Sequence, residues 1–372
     1  MGQKKEEQAG MEAYYRQQLG CLCKNIHPAD RCFIEAAYHH WDGIAKPLNG
    51  LGRFEQMIAK IAGIQGTEDV SLARKAVVVF CADNGVVAEG VSQTDSSVTA
   101  VVTENFARGI ASVNRMAAIA GADVLPVDMG VAGDIREPGV RDCKIARGTA
   151  NMRREPAMSM EQAYAAVHAG IGIAGELRDA GYDMLGVGEM GIGNTTTSSA
   201  VASVLLGEPV ETVTGRGAGL SGEGLCRKIR VIEEAVALNR PDKNSPMEVL
   251  AKLGGFDIAG MTGLLLGGAI YRIPVVLDGM ISAVAALLAQ ALCPAVTDYM
   301  LASHMGKEPV CALAMERLGL EPVIYGELAL GEGTGAVMLF PLLEQAYAVY
   351  RENSTFEDIH IDAYEKFSEE SK

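Results

Sequence analysis

Acidic residues stand at the ends of several short apolar runs, and their placement is the first indication of chemistry in this sequence. The runs end at five acids: Asp83, Asp128, Glu189, Asp278 and Glu332. In an open α/β sheet the carboxyl ends of parallel strands meet at one edge, so acids placed there converge on one crevice. For any single acid a structural role is an equally good explanation, because acids also cap the helices that follow strands.

Glu332 stands between two glycines in the segment LALGEGTGA. Without neighbouring side chains, its carboxylate can approach a substrate closely. The apolar neighbours Leu328, Ala329 and Leu330 would raise the pKa of such a group toward the range that suits a general base. We therefore predict that Glu332 is a catalytic base; the alternative is a glycine-flanked surface turn.

A second candidate feature is the segment GVGEMGIGNTTTSSA, residues 186–200, whose first six residues match the dinucleotide pattern G-x-G-x-x-G. The match lies in mid-chain, three threonines separate it from helix-forming alanines, and no clean strand ends on an acid at the ribose-binding distance. We predict instead a backbone nest that holds the phosphate of a mononucleotide. Its predicted contacts are Gly191, Gly193, Asn194 and Thr195; the alternative is a tight strand-to-helix turn without a ligand.

The next glycine-rich segment, TGRGAGLSGEGLCRKI, brings cations close to this nest. Most arginines and lysines on helices are solvated, but beside an anion-binding loop they can hold a phosphate. We predict that Arg216, Gly217 and Lys228 contact the same anion.

Composition limits the classes of function. The chain has 372 residues, 49% of them hydrophobic, which suits one large globular domain or two smaller ones. A net charge of -15 disfavours nucleic acid and membrane surfaces as partners. The longest apolar stretch, residues 279–296, is shorter than a bilayer span of about 20 residues, and the N-terminus lacks a secretory pattern. The eight cysteines include no CxxC pair, so we expect no metal site and a reduced cytoplasmic location.

The secondary-structure elements that must position these residues are predicted from the pattern of apolar, polar and small residues along the chain. Residues 11–65 are predicted to be helical, and from Lys75 short apolar runs alternate with small-residue helices, which is typical of a parallel sheet. We predict an α/β fold with a Rossmann-like parallel sheet flanked by helices and a second, smaller helical domain built from both chain ends. The predicted units are a flexible tail over 1–20, a small helical domain over 21–72 plus 336–355, a large α/β catalytic domain over 73–335 and an acidic tail over 356–372.

The chain resembles the nicotinate-nucleotide:dimethylbenzimidazole phosphoribosyltransferases of the cobalamin pathway. The resemblance covers residues 47–336 and rests on three segments in the family's order: GVGEMGIGNTTTSSA, IAGMTGLLLGGAIYRIPVVLDGMISAVAALLA and LGEGTGA. It implies transfer of the 5-phosphoribosyl group of nicotinate mononucleotide to a base, giving α-ribazole 5'-phosphate and nicotinate. It also implies the Rossmann-like fold described above, a homodimer, and no metal or other cofactor.

The same resemblance implies roles for individual residues. Glu332 matches the family's general base, and Glu189 and Lys228 match positions around the phosphoribosyl group. Asp83 and Ser92 lie in ADNGVVAEGVS, which also looks like a family segment. We expect these two residues and Leu330 to contact substrates.

Three departures from the family pattern concern the base. Asn84 stands where the family has histidine in A-D-H-G, the segment SQTDSSVT lacks an aromatic residue and proline after its serine, and Val101 replaces a glutamine. In the family this segment lines the base pocket. The natural base is therefore left open between dimethylbenzimidazole, benzimidazole, adenine and another lower-ligand base.

Two other classes of function compete with this interpretation. A nicotinamide-dependent oxidoreductase would need a ribose-binding acid near residue 210, where Glu211 is poorly placed. A non-catalytic nucleotide-binding protein would not need Glu332.

Overall fold

The chain folds around a central parallel sheet. The computed structural model describes residues 2–364, and within them the sheet has six strands in the order β3-β2-β1-β4-β5-β6, all parallel. The strands are β1 (Lys75–Ala82), β2 (Ala122–Gly130), β3 (Arg141–Asp142), β4 (Met184–Met190), β5 (Val275–Leu277) and β6 (Met300–Ala302). The order reverses between β1 and β4, where doubly wound sheets bind ligands. This confirms the predicted Rossmann-like fold class.

Helices flank the sheet on both faces. Those before β4 are α1 (Gly2–Lys24), α2 (Arg31–Gly43), α3 (Arg53–Gln65), α4 (Ser97–Ala107), α5 (Ser112–Ala120) and α6 (Met160–Asp179). Those after β4 are α7 (Asn194–Leu206), α8 (Val210–Val213), α9 (Gly222–Asn239), α10 (Pro246–Leu253), α11 (Phe256–Tyr271), α12 (Met280–Leu292), α13 (Val310–Leu318) and α14 (Thr334–Glu352). Within residues 2–364, no helix is both long and apolar enough to cross a bilayer.

The central strand β1 shows why this sheet is buried on both faces. All eight of its residues are buried. Ala76, Val78 and Phe80 belong to one hydrophobic cluster, whereas Val77 and Val79 belong to the other. Successive side chains of a strand point to opposite faces, so a continuous apolar run requires helices on both sides.

Helices α2, α3 and α14, from the two end regions of the chain, pack on the second of these faces. Trp41 of α2, Ile58 of α3 and Phe340 of α14 share a hydrophobic cluster with Val77 and Val79. The rings of Trp41 and Tyr350 lie 4.9 Å apart. The helices from both ends therefore meet, as expected for a helical unit built from both ends. Because they also share their core with the sheet, the division into two domains stays a prediction.

The predicted tails differ from the structure. Of the flexible tail predicted over 1–20, residues 2–20 belong to α1. On this helix Leu19 is buried and the Tyr15 carbonyl oxygen lies 2.9 Å from Nε2 of His168 in α6. At the other end, Phe356 is only 7% exposed and its N–H donates to the Gly43 carbonyl at 3.0 Å. Apolar side chains inside both segments explain the packing, and residues 365–372 lie outside the described chain.

One predicted strand is wrong. The segment before Glu332 is not a strand but a loop. The apolar pattern revealed neither the edge strand β3 nor β6, which is only three residues long and leads into Ser303 and His304. The loop is joined to the segment after β6 by a parallel bridge between His304 and Ile324. Glu332 therefore reaches the carboxyl edge of the sheet through this loop and the start of α14.

Candidate active site

A cleft of about 330 Å³ opens where β4, β5 and β6 end. Five segments supply most of its lining: those after β4, β5 and β6, the loop before α9 and the loop before α14. Seven of the residues predicted from the sequence line it: Glu189, Gly191, Asn194, Thr195, Gly217, Leu330 and Glu332. Residues that are far apart in the chain are thus brought to one site.

The other predicted residues lie close by. Ser92, Gly193 and Arg216 line a smaller cleft of about 80 Å³, which shares the Gly191–Thr195 segment with the main cleft. Lys228 and Asp83 line neither cleft. Lys228 lies behind Thr195, as described below. Asp83 is buried after β1, where its carboxylate accepts the Ala132 N–H at 2.8 Å.

The backbone around Glu332 is unusual. Three consecutive residues, Gly331, Glu332 and Gly333, have φ of +79°, +62° and +88°. Glycine adopts this left-handed region readily, but a glutamate there costs about 1–3 kcal/mol and needs support from its surroundings. Part of that support is close contact with β4, because a Cβ at Gly188 would lie only 2.5 Å from the Glu332 carbonyl oxygen.

The Glu332 carboxylate is directed at the start of α5. Its Oε2 accepts the Val113 N–H at 3.0 Å. Burial raises the pKa of Glu332, the negative charge of Asp278 raises it further, and backbone N–H bonds from Val113 and Ser112 lower it. The result is a partly buried carboxylate with a pKa above its ordinary value, held only by backbone donors. Such a group can accept a proton from a substrate.

Glu189 is joined to a second buried acid through Asn194. The amide Nδ2 of Asn194 donates to Glu189 and also to Asp257, 3.1 Å away. Burial raises the pKa of Glu189 to about 8, with further increases from the charges of Asp257, Asp278 and Glu332. The pKa of Asp257 rises to about 6, again mainly through burial. One amide therefore orients two carboxyl groups whose ionised forms are disfavoured.

Lys228 supplies a buried cation beside the glycine-rich loop. It is 0% exposed, and its Nζ donates to Thr195 Oγ1 at 2.9 Å and to the Gly215 carbonyl at 3.2 Å. Burial lowers its pKa to about 8, opposed by the charge of Glu308. In the same loop the Gly217 N–H donates to Glu308 at 3.1 Å. Thr195, Gly217 and Lys228 thus form a wall of hydrogen-bond donors.

The glycine segment differs in one respect from the sequence prediction. Helix α7 begins at Asn194, immediately after Gly193 at φ +92°, so the threonines form its first turn rather than a loop before it. The Asn194 side chain does not cap the helix, because it reaches back to Glu189 and Asp257. The helix N-terminus nevertheless faces the cleft through Asn194 and Thr195.

Sequence reasoning missed or undervalued four groups of this site. His304 and Glu308 line the cleft, and Asp257 accepts a hydrogen bond from the Asn194 amide. Asp278 was noticed only as an acid at a strand end, yet it lines the cleft and contacts the Glu332 turn. A polar residue directly after the short apolar run of β6 was the available signal for His304. Asp257 and Glu308 carry no local motif.

The positions that depart from the family pattern have different surroundings. Asn84 is buried, and its amide lies between the Ile192 carbonyl, 3.4 Å away, and the Thr197 hydroxyl, 3.5 Å away. Val101 is 57% exposed, whereas its neighbour Val102 lines the cleft. Among residues 2–364, no group of three or more histidine, cysteine or acidic side chains is arranged to hold a metal ion.

A family model described as phosphoribosyltransferase matches residues 26–361. The chain belongs to this phosphoribosyltransferase family. Among curated relatives, a nicotinate-nucleotide–dimethylbenzimidazole phosphoribosyltransferase from Clostridium acetobutylicum is 46% identical over 92% of this chain and 97% of its own length. A relative of the same name from Acetivibrio thermocellus is 47% identical over 87% of this chain and 92% of its own length.

Solved structures agree with this phosphoribosyltransferase assignment. The crystal structure of CobT from Thermus thermophilus is 39% identical, with a TM-score of 0.85 over 89% of this chain and 99% of that chain. These findings confirm the family resemblance predicted from the sequence and the assignment of the chain as a phosphoribosyltransferase. The dinucleotide pattern at Gly186 therefore does not indicate a dehydrogenase.

Proposed function

We propose that this phosphoribosyltransferase transfers the 5-phosphoribosyl group of nicotinate mononucleotide to 5,6-dimethylbenzimidazole or a related lower-ligand base. The products are α-ribazole 5'-phosphate and nicotinate, for assembly of the nucleotide loop of cobalamin. The observation that carries the proposal is a single cleft that joins the Glu332 carboxylate to the donors Thr195 and Gly217, with Lys228 behind them.

The donor wall, formed by Thr195, Gly217 and Lys228, is the place for the phosphate. Backbone N–H groups, a hydroxyl and a lysine ammonium are the groups that hold phosphates at helix N-termini and glycine-rich loops. A net charge of -15 makes such a local wall necessary, since the protein as a whole repels anions. Arg216 is exposed, with its guanidinium on the Leu220 carbonyl at 2.8 Å, and can reach a bound anion by rotation about its side-chain bonds.

The acidic wall of the cleft, formed by Glu189, Asp278 and Glu332, is the place for the reacting base. As one ring nitrogen of the base attacks C1' of the ribose, Glu332 takes the N–H proton from the other, so that the product ring is neutral. The glycosidic bond to nicotinate breaks at the same carbon, and its electron pair neutralises the pyridinium nitrogen. Attack on the face opposite to nicotinate gives the α anomer. Positioning the two substrates in line and general base catalysis both contribute to the rate.

Apolar side chains can hold the flat ring of the base. Val102, Met280 and Leu330 line the cleft that Glu332 also lines. Leu330 is 54% exposed, so its contact with a ring would remove apolar surface from water. This surface fits a benzimidazole better than a charged base, and dimethylbenzimidazole, benzimidazole and adenine all present an aromatic ring with an N–H.

We further propose that the protein acts as a cytoplasmic homodimer, without a cofactor. Val101 and Ile110 are more than half exposed, and apolar side chains of this kind are often covered by a partner. Light scattering of the purified protein tests the assembly. A mass of about twice the 39.3 kDa of one chain is expected, and the mass of a single chain would contradict the proposal.

The activity is tested with nicotinate mononucleotide and a panel of bases: dimethylbenzimidazole, benzimidazole, adenine and p-cresol. Chromatography follows nicotinate release and α-nucleotide formation. We expect release that depends on the base, with a ranking among the bases. Folded protein that releases no nicotinate with any base would overturn the proposed function.

A further inference from the structure

The direction of the Glu332 carboxylate is set by its backbone. Within residues 2–364, no side chain donates a hydrogen bond to this carboxylate; its partners are the N–H groups at the start of α5. The backbone of residues 331–333 lies in the left-handed region throughout. Whatever holds this turn therefore also directs the carboxylate.

Asp278 holds the turn from the end of β5. Its Oδ2 accepts the Gly333 N–H at 3.0 Å and its Oδ1 accepts the Gly335 N–H at 2.7 Å. The side chain is 3% exposed. Each carboxylate oxygen thus bonds one backbone donor immediately after Glu332, and β5 fixes the position of the acid. Gly188 of β4 packs against the Glu332 carbonyl on another side.

We propose that Asp278 is a positioning residue for the reaction: it holds the turn at residues 331–335 and thereby directs the Glu332 carboxylate to the base. The inference rests on the proposed function, in which Glu332 takes the proton. Asp278 need not touch substrate, although it lines the cleft. It acts through the backbone and through its negative charge, which lies close enough to Glu332 to raise the pKa of that group.

The alternative is that Asp278 only caps the N-terminus of α14. Both roles predict that Asp278→Asn lowers stability, because an amide has one acceptor oxygen and would turn its NH₂ toward one of the two N–H donors. Only the positioning role predicts that kcat falls through Glu332. The double variant with Glu332→Gln distinguishes the two roles, since a cap alone would lower kcat equally with and without the Glu332 carboxylate. The pH profile reports the Asp278 charge, whose loss lowers the pKa of Glu332 under both roles.

Other groups of the cleft must be considered in such a profile. The titratable side chains that line it besides Glu332 and Asp278 are Glu189, His304, Lys307, Glu308 and Cys311. His304 is closest to Asp278, with its Nδ1 3.9 Å from Oδ1. To assign the shift to Glu332, the profile is measured in Asp278→Asn and in the double variant with Glu332→Gln.

The experiment compares the parent with Asp278→Asn, Glu332→Gln, the double variant and Asp128→Asn. Asp128 is a matched control: it is another buried acid at a strand end that accepts a backbone N–H, from Val131 at 2.8 Å, but lines neither cleft. For Asp278→Asn we expect kcat to fall by at least about tenfold, since small misplacement of a reacting group is costly. KM for nicotinate mononucleotide should change by less than about twofold, as uniform binding is retained. The acid limb of the pH profile of kcat should move to lower pH.

In Glu332→Gln the further change Asp278→Asn should have little effect on kcat, because the two residues act as one unit. An unshifted acid limb in folded Asp278→Asn, or additive losses in the double variant, would overturn the positioning role. If Asp278→Asn does not fold, Asp278→Ser carries the same expectations, because its hydroxyl is smaller and can accept one of the bonds. A parent without activity would instead refute the proposed function.

Discussion

Burial shifts pKa values in opposite directions in the two walls of the cleft. The acidic wall contains Glu189, Asp278 and Glu332, and burial raises the pKa of all three. The donor wall has Lys228 behind Thr195, and burial lowers its pKa to about 8. In both walls desolvation disfavours the charged form.

This difference makes the cleft electrostatically asymmetric, so that its two sides suit different parts of the substrates. A phosphate dianion placed against the acidic wall would meet three carboxyl groups, whereas at the donor wall it would meet one, Glu308, and would favour the charged form of Lys228. We therefore expect the phosphate at the donor wall and the reacting end of the substrates at the acidic wall. The comparison predicts that a substitution in one wall mainly changes kcat and a substitution in the other mainly changes substrate affinity.

The largest effect is expected in the acidic wall. Glu332→Gln keeps the size of the side chain but cannot accept the proton, so kcat should fall by about 10² to 10⁴. Affinity for nicotinate mononucleotide, measured by calorimetry, should change little. Glu327→Gln is the matched control, because Glu327 belongs to the same loop, also has a positive φ of 53° and is exposed outside the cleft. Equal turnover in Glu332→Gln and the parent would refute the assignment of the base.

A smaller effect of the opposite kind is expected in the donor wall. Lys228→Met removes the ammonium but keeps a long apolar side chain, and Kd for nicotinate mononucleotide should rise by about 10- to 100-fold, which corresponds to a lost charged hydrogen bond. In the parent, affinity should fall as pH rises through about 8, the pKa of Lys228, because the deprotonated amine attracts phosphate less. The variant should lack this dependence.

Arg230→Met serves as the control for this prediction. Arg230 lies on the same helix, is exposed and lines neither cleft, so its loss changes the net charge equally. An unchanged Kd in Lys228→Met, or an equal rise in Arg230→Met, would show that the phosphate does not depend on Lys228.

The acidic wall also shows how far sequence reasoning reaches. Strands β1, β2, β4 and β5 follow apolar runs that end on acids, so the acids near the crevice were found from local pattern alone. The edge strand β3 consists of Arg141 and Asp142, both exposed, and has no apolar signal to find. The loop before Glu332 was mistaken for a strand because its spaced apolar residues imitate one; Leu330 is instead exposed at the cleft.

What the sequence could not provide are contacts made by tertiary packing. Asp257 lies in the first turn of α11 and reaches the site only because that helix packs against β4, which brings its carboxylate to Asn194. Glu308 approaches the Gly217 N–H from a loop more than ninety residues away in the chain. Such contacts have no local spacing, whereas Gly193, Gly331 and Gly333, all at positive φ, are local requirements of the backbone and were visible in the sequence.

The smallest expected effect concerns the contribution of Glu189, in the acidic wall, to the stability of the fold. The pKa of Glu189 is raised from 4.5 to about 8 in the folded chain. Its stabilising contribution is therefore complete below about pH 4.5 and is lost as pH rises through about 8, because the unfolded chain ionises more readily. Glu189→Gln can still accept the Asn194 amide hydrogen bond and does not titrate. Its melting temperature relative to the parent should rise steadily between about pH 5 and pH 8.

The comparison with the parent removes the influence of groups that both proteins share, such as Asp257 with its pKa of about 6. Glu211→Gln is the control, since Glu211 is exposed and its substitution should give a difference that does not vary with pH. A flat difference for Glu189→Gln would mean that Glu189 is ionised in the folded chain over this range. The acidic wall would then carry more negative charge than we infer. The position of the phosphate would depend more on repulsion from this wall and less on the donors around Lys228.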